Sequence, residues 1–157
     1  HFLYLEGPAP SSSNQARIEG LRAFASRVGD VQIDYVPAGS AAVDGYRCGE
    51  AVRASGATAV LAYNDLVAVG LMRALAERGV VVPRDVAVAG FDDIPVVRYV
   101  TPRLTSVSVP YEPLGAEAWK RMHALINGET PSHDLVFQPR LQPRDSTAPP
   151  LCIRAED

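Results

Sequence analysis

The chain has 157 residues, 47% of them hydrophobic and 21% charged, with a net charge of −3. That length suits one domain or slightly more, and the evenly spread acidic balance excludes nucleic acid or an anionic membrane as the direct partner of this stretch. No apolar run approaches a membrane span, and Cys48 and Cys152 lie far apart without metal-ligand spacing, as expected of two reduced thiols in a cytoplasmic protein.

The opening "HFLYLEGP" has neither Met nor the layout of a signal peptide. It leads straight into a strand, "FLYLEG", closed by Gly7-Pro8, so the chain is expected to be cut from a longer parent. "SSSNQARIEGLRAFASRVG" predicts a helix: Ser12 with Gln15 fits a capping box, Ile18, Leu21, Ala25 and Val28 recur at helical spacing, and Gly29 ends it. "VQIDYV" predicts a second strand, residues 42–54 a second helix stopped near Gly56, and "TAVLAY" a third strand apolar on both faces. "DLVAVGLMRALAERG" follows as a third helix, with an almost unbroken apolar opening from Leu66 to Met72. Such a helix is buried on more than one side, so a second chain or domain is expected on the face turned away from the sheet. "VAVAGF" and "LTSVSV" are two further strands, and Pro113 at the first helical position begins a fourth helix over residues 114–127. In "LVFQPRLQPRDS" Pro139 and Pro143 interrupt an alternating pattern, which suits an edge strand.

Strands alternating with helices through short turns define an α/β fold, a parallel sheet with helices on both faces. Ligands bind such sheets beyond the carboxyl ends of the strands. The polar residues gather there: Ser11 to Arg17 after the first strand, Ser40 after the second, Asn64-Asp65 after the third, Asp92-Asp93 after the fourth. Arg17 sits near a helix N-terminus, where the dipole disfavours a cation. It either snorkels over apolar neighbours, pairs with Glu19 or Glu6, or offers its fork of donors to ligand oxygens. Asn64 and Asp65 are both good caps; the economical division gives the cap to Asp65 and the ligand to Asn64, which carries a donor and an acceptor. Asp92 and Asp93 leave their strand pointing apart, so one can face the site while the other ties down the loop. Tyr63 and Phe91 read first as core aromatics.

Catalysis is not expected. No G-x-S-x-G, P-loop or G-x-G-x-x-G occurs, and His1, His123 and His133 fall away from the strand ends. Asp92-Asp93 lacks a third metal ligand nearby, so neither metal nor cofactor is expected.

Three stretches carry a family resemblance: "LEGPAPSSSNQARIEGLRAF", "VLAYNDLVAVGLMRALAERGVVVPRDVAVAGFDDIP" and "TPRLTSVSVPYEPLGAEAW", with "LQPRDSTAPP" closing the pattern. Together they resemble the lactose-repressor/galactose-repressor (LacI/GalR) family of bacterial transcription regulators. The resemblance implies a periplasmic-binding-protein-like (type I) effector domain behind a helix-turn-helix headpiece. Residues 1–109 would form the C-terminal lobe, a flavodoxin-like half-domain, with 132–147 its return strand and 148–157 a loose tail. Residues 110–131 would be a crossover helix belonging to the N-terminal lobe, which is absent with the headpiece. Trp119, Met122, Leu125 and Ile126 of that helix are expected to pack on another chain or a rearranged element. Residue by residue, Arg17, Asn64 and Asp92, and more weakly Ser13, match effector-contacting positions, while Asp93 matches a structural one beside Asp65. Ser40 and Val109 depart from the family, the first where many members carry a stacking aromatic and the second where some place a polar contact. The implied partners are a small-molecule effector, a sugar first, and a second copy of the chain through Leu66, Val69 and Met72. DNA would be met only through the missing headpiece. The competing readings are a periplasmic solute-binding protein of a transporter, and an enzyme of doubly wound fold.

Overall fold

The computed structural model describes residues 1–130 and 134–147. Strand β1 (Phe2–Glu6) leads to helix α1 (Ser12–Val28), β2 (Ile33–Pro37), the short helices α2 (Ala42–Arg47) and α3 (Gly49–Ser55), and β3 (Ala59–Ala62). Helix α4 (Asp65–Glu77), β4 (Ala87–Asp92), β5 (Thr105–Ser108), helix α5 (Tyr111–Ile126) and β6 (Arg140–Gln142) complete the order. The sheet runs β2-β1-β3-β4-β5-β6. The first five strands are parallel, and β6 pairs antiparallel with β5 through Val107↔Leu141. Pro139 and Pro143 bracket this outer strand, where a missing N–H costs no ladder bond.

The strand order reverses direction between β1 and β3. Parallel crossovers are right-handed, so α1 lies on one face of the sheet and α2 to α4 on the other. The crevice at such a switch point is where doubly wound sheets bind ligands. One core fills the α2–α4 side: Leu3, Leu5, Val60 and Val88 of the sheet meet Val67, Leu71 and Leu75 of α4.

Several expected details differ. Ser11, not Ser12, caps α1, accepting from the Asn14 N–H; Gln15 bonds forward to Glu19 instead of closing a capping box. The helix expected over 42–54 is two helices meeting at Cys48. Cys48 is buried, and burial first, then the nearby Asp44 carboxylate, pushes its thiol above the ordinary value; Cys152 and His133 lie outside the described residues. Helix α5 opens at Tyr111 and places Pro113 in the third position, still inside the first turn, where no N–H needs a helical acceptor.

The second apolar side of α4 packs on α2 of the same chain. The contact is backbone on backbone: a Cβ on Gly70 would lie 1.8 Å from the Ala42 carbonyl oxygen, and one on Gly45 would lie 1.9 Å from that of Val67. Met72 is buried, beside Val80 to Val82 and Pro102, while Leu66 stays 44% exposed.

Helix α5 stands apart from the core within this chain. It has no buried residue; Trp119 is 62% exposed, Met122 51%, Leu125 61% and Ile126 74%. Among the described residues no rearranged element covers this patch, and the helix meets the rest of the chain where Leu114 and Ala118 border Leu135 and Phe137 and where Tyr111 reaches Asp92. Among the described residues no helix is long and apolar enough to cross a membrane.

Candidate functional site

The carboxyl ends of β1, β3 and β4 gather the site. At the start of α1, Ser13 Oγ lies 3.0 Å from the Tyr63 hydroxyl and 3.0 Å from Ser11 Oγ. Hydrogen bonds from Ser11 and Ser13 lower the Tyr63 phenol from its usual value, outweighing a small opposing effect of burial. The Tyr63 ring rests on Gly7, where a Cβ would come within 2.4 Å of it. Only a residue without a side chain lets β1 exit this close to the ring.

Arg17 takes neither Glu19 nor Glu6. Its guanidinium lies 3.8 Å over the Phe91 ring and 4.6 Å over the Tyr63 ring, and its Nη1 donates to the Tyr63 carbonyl. Cation–π contacts of this kind orient a guanidinium while leaving other N–H groups available. Tyr63 and Phe91 are therefore only partly buried and clasp Arg17, in place of the core role expected of them. Phe91 and Arg17 also border an open apolar groove of about 290 Å³ between α1 and the sheet.

The cap expected of Asp65 falls to Asn64. Asn64 is the cap, its Oδ1 accepting from the Val67 N–H at 2.9 Å, while its Nδ2 donates to the Ser40 carbonyl at 2.9 Å. One amide N–H of Asn64 is left for another acceptor. Ser40 enters the site through its backbone, with its side chain exposed. Asp65 is fully buried: Oδ1 accepts from Ser106 Oγ at 2.6 Å and Oδ2 from the Ile94 N–H at 2.9 Å. Burial raises its carboxyl above the ordinary value, with the two donors pulling the other way. Its carboxylate thus ties the start of α4 to the loop after β4 and to β5. Gly90 makes room for it, since a Cβ there would lie 2.2 Å from Asp65 Oδ1.

The register Leu61↔Ala89, continued to the strand exits, carries Asn64 level with Asp92. Asp92 (φ 111°) and Asp93 (φ 54°) both adopt backbone conformations that non-glycine residues avoid. Asp93 is fastened from three sides: its N–H donates to Ser106 Oγ at 3.0 Å, its carboxylate accepts from Arg144 at 2.5 Å, and Arg98 lies 3.6 Å away. Asp92 meets Tyr111, whose hydroxyl donates to Oδ1 at 2.9 Å. Burial, then this bond, pushes the Tyr111 phenol up to about 12.

Sequence reasoning placed Tyr63 in the core first and missed Tyr111, Ser106 and Arg144. Tyr63 continues the half-buried positions of Ala59 and Leu61, a pattern that a strand apolar on both faces does not show in residue order. The other three act through contacts distant in the chain and left no local sign.

An open sheet with a β1/β3 switch point, and polar residues crowded at that edge, defines a lobe of the periplasmic-binding type. The chain belongs to the family of periplasmic binding protein-like domains, which matches residues 1–147. Within that class its similarities are to LacI/GalR-type regulators. It is similar to the HTH-type transcriptional regulator MalR of Streptomyces coelicolor, 40% identical over 92 residues, which are 58% of this chain and 27% of that protein. Among solved structures it is similar to a LacI family transcriptional regulator from Enterococcus faecium with bound ribose, with a TM-score of 0.86 and 30% identity over 94% of this chain and 56% of that one. It is likewise similar to the Lac repressor dimer bound to operator and an anti-inducer, with a TM-score of 0.84 and 27% identity over 94% of this chain and 45% of that one. The chain spans about a quarter of the curated relative and about half of the solved chains.

Proposed function

We propose that the chain is the C-terminal lobe of the effector-sensing domain of a LacI-type transcription regulator. The observation that carries this is the assembly of Ser13, Arg17, Asn64 and Asp92 at the carboxyl edge of β1, β3 and β4 in a chain of that family. The effector is a small polar metabolite, a sugar before others. Arg17 supplies the donors left over from its bond to Tyr63, Asn64 one amide N–H, Asp92 its Oδ2, and Ser13 a hydroxyl. Such a set suits adjacent hydroxyls, each of which donates and accepts. Asp65 and Asp93 hold the loops that carry Asn64 and Asp92.

The parent is cytoplasmic, dimeric and without catalysis of its own. Its effector bridges this lobe and an N-terminal lobe, and the coupling between that site and a helix-turn-helix headpiece sets affinity for operator DNA. Helix α4 contributes its outward end to the dimer through Leu66 and Val69, with Met72 behind them.

Calorimetric titration of the parent with ribose, galactose and a panel of neutral sugars tests this reading, with Arg17→Ala as the control. Loss of the charged donors is expected to weaken binding by about 10- to 100-fold. A parent that binds no polar metabolite, or binds one equally well without Arg17, would overturn it.

A further inference from the structure

Helix α5 is almost unattached. Its side-chain pairings stay within its own turns: Lys120 and Arg121 meet Glu117, and His123 meets Asn127 at the C-cap. Among the described residues a single hydrogen bond leaves the helix for the sheet, from the Tyr111 hydroxyl to Asp92. The two ends of that bond differ in rigidity. Asp92 closes β4 on a corner held by the Asp93–Ser106 and Asp93–Arg144 bonds. Tyr111 is the first residue of a sixteen-residue helix with nothing buried. The phenol keeps its proton throughout the neutral range, because it is pushed up to about 12, so the bond is always donated toward Asp92. Oδ2 of Asp92 has no partner among the described residues, so the carboxylate can hold Tyr111 and still accept from a ligand.

We propose that Tyr111 is a positioning residue that tethers α5 to the candidate effector carboxylate, so that the attachment of this helix depends on the state of Asp92. The inference rests on the reading of Asp92 as an effector acceptor, but the tether exists without a ligand. Any donor that engages Asp92 alters the charge and orientation Tyr111 sees. The site is thereby coupled to the segment that leaves the lobe.

The experiment is amide hydrogen exchange by NMR on the 157-residue chain without sugar, read at Leu114, Gly115 and Ala116. The Leu114 N–H bonds to the Pro110 carbonyl in the first turn. Asp92→Gly removes the carboxylate and suits the positive φ, Asp92→Asn keeps a carbonyl acceptor, and Tyr111→Phe removes the donor. Tyr111→Phe and Asp92→Gly should each speed exchange by about 5- to 20-fold, with no further gain in the double variant. Asp92→Asn should stay within about threefold of the wild type, because its amide oxygen still accepts from the phenol. A merely structural role for Asp92 would not produce that rescue. Protection of the β3 and β4 amides reports that each variant is folded.

Unprotected α5 amides in the wild type, unchanged rates in Tyr111→Phe, or additive effects in the double variant would each overturn the tether. Because no sugar is present, such a result leaves the effector reading standing. Failed sugar binding with a non-additive cycle would remove the effector reading and keep the tether.

Discussion

Ser106→Ala puts the most weight on a single atom of this fold. The Ser106 hydroxyl donates to the fully buried Asp65 carboxylate at 2.6 Å and accepts the Asp93 N–H at 3.0 Å. Removing it strips a buried carboxylate of a donor, about 2–3 kcal/mol, and orphans a part-buried amide, about 1 kcal/mol more. The expected loss of about 3–4 kcal/mol is a large share of a domain's stability and corresponds to a fall in Tm of about 6–16 °C at this chain length. The loss should also depend on pH. Burial raises the Asp65 carboxyl in the folded state, so the folded chain holds that proton more tightly than the unfolded chain does. Its contribution is fully present below the unfolded value of about 3.9 and is lost as pH rises through the folded value. Ser106 is one of the influences that lower the folded value; without it the loss continues to higher pH. Urea unfolding at pH 4 and pH 7 should therefore give a larger penalty for Ser106→Ala at pH 7. A penalty below about 1 kcal/mol, or one equal at both pH values, would refute the bridge as described.

Gly70→Ala should cost about 3 kcal/mol or more, because its Cβ meets the Ala42 carbonyl at 1.8 Å and α2 must move off α4; thermal unfolding checks this, and a near-neutral variant would mean that the two helices are not in backbone contact. Arg144→Met leaves the Asp93 carboxylate with only the distant Arg98, a loss of about 3–5 kcal/mol for a broken buried pair. Urea unfolding should show part of it restored by adding Asp93→Asn, and strictly additive variants would exclude the pairing. Leu66→Glu in the parent, at a position 44% exposed in this chain, should shift sedimentation from dimer to monomer without lowering the unfolding temperature of this lobe; an unchanged dimer would remove this end of α4 from the interface. Met72→Glu is not an equivalent test, since Met72 is buried within its own chain and a charge there unfolds the lobe.

Much of the candidate site was readable from residue order alone. Parallel strands deliver whatever follows them to one edge, so Ser13, Arg17, Asn64 and Asp92 could be collected before any contact was known. The division of labour inside each pair was not readable. Asn64 and Asp65 are both competent caps, and the choice fell to Asn64 because Asp65 is drawn into the core by two donors from Ile94 and Ser106, 29 and 41 residues away. Arg17 had two plausible acidic partners nearby in the chain, Glu6 and Glu19, and took neither, because Phe91 and Tyr63 at the ends of two other strands close around it. The intrachain covering of α4 was unreadable for a similar reason. Hydropathy shows that a helix is buried on two sides, but not whether the second side meets its own chain; Gly45 and Gly70 decide that only once α2 and α4 are seen to touch.

The sequence by itself determined the local grammar: strand and helix order, the parallel architecture, the edge strand between its prolines, and which edge of the sheet carries polar groups. These follow from periodicity, caps and breakers, whose physics acts within about one turn or one strand. Tertiary structure alone decided the β1/β3 reversal, the choice of Asn64 as cap with Asp65 drawn into the core, the clasp around Arg17 and the bond from Tyr111 to Asp92. Each depends on side chains far apart in the chain meeting at hydrogen-bond or ring-contact distance, and such interactions vanish beyond a few ångströms, so only the packed chain selects among partners that the sequence makes equally possible.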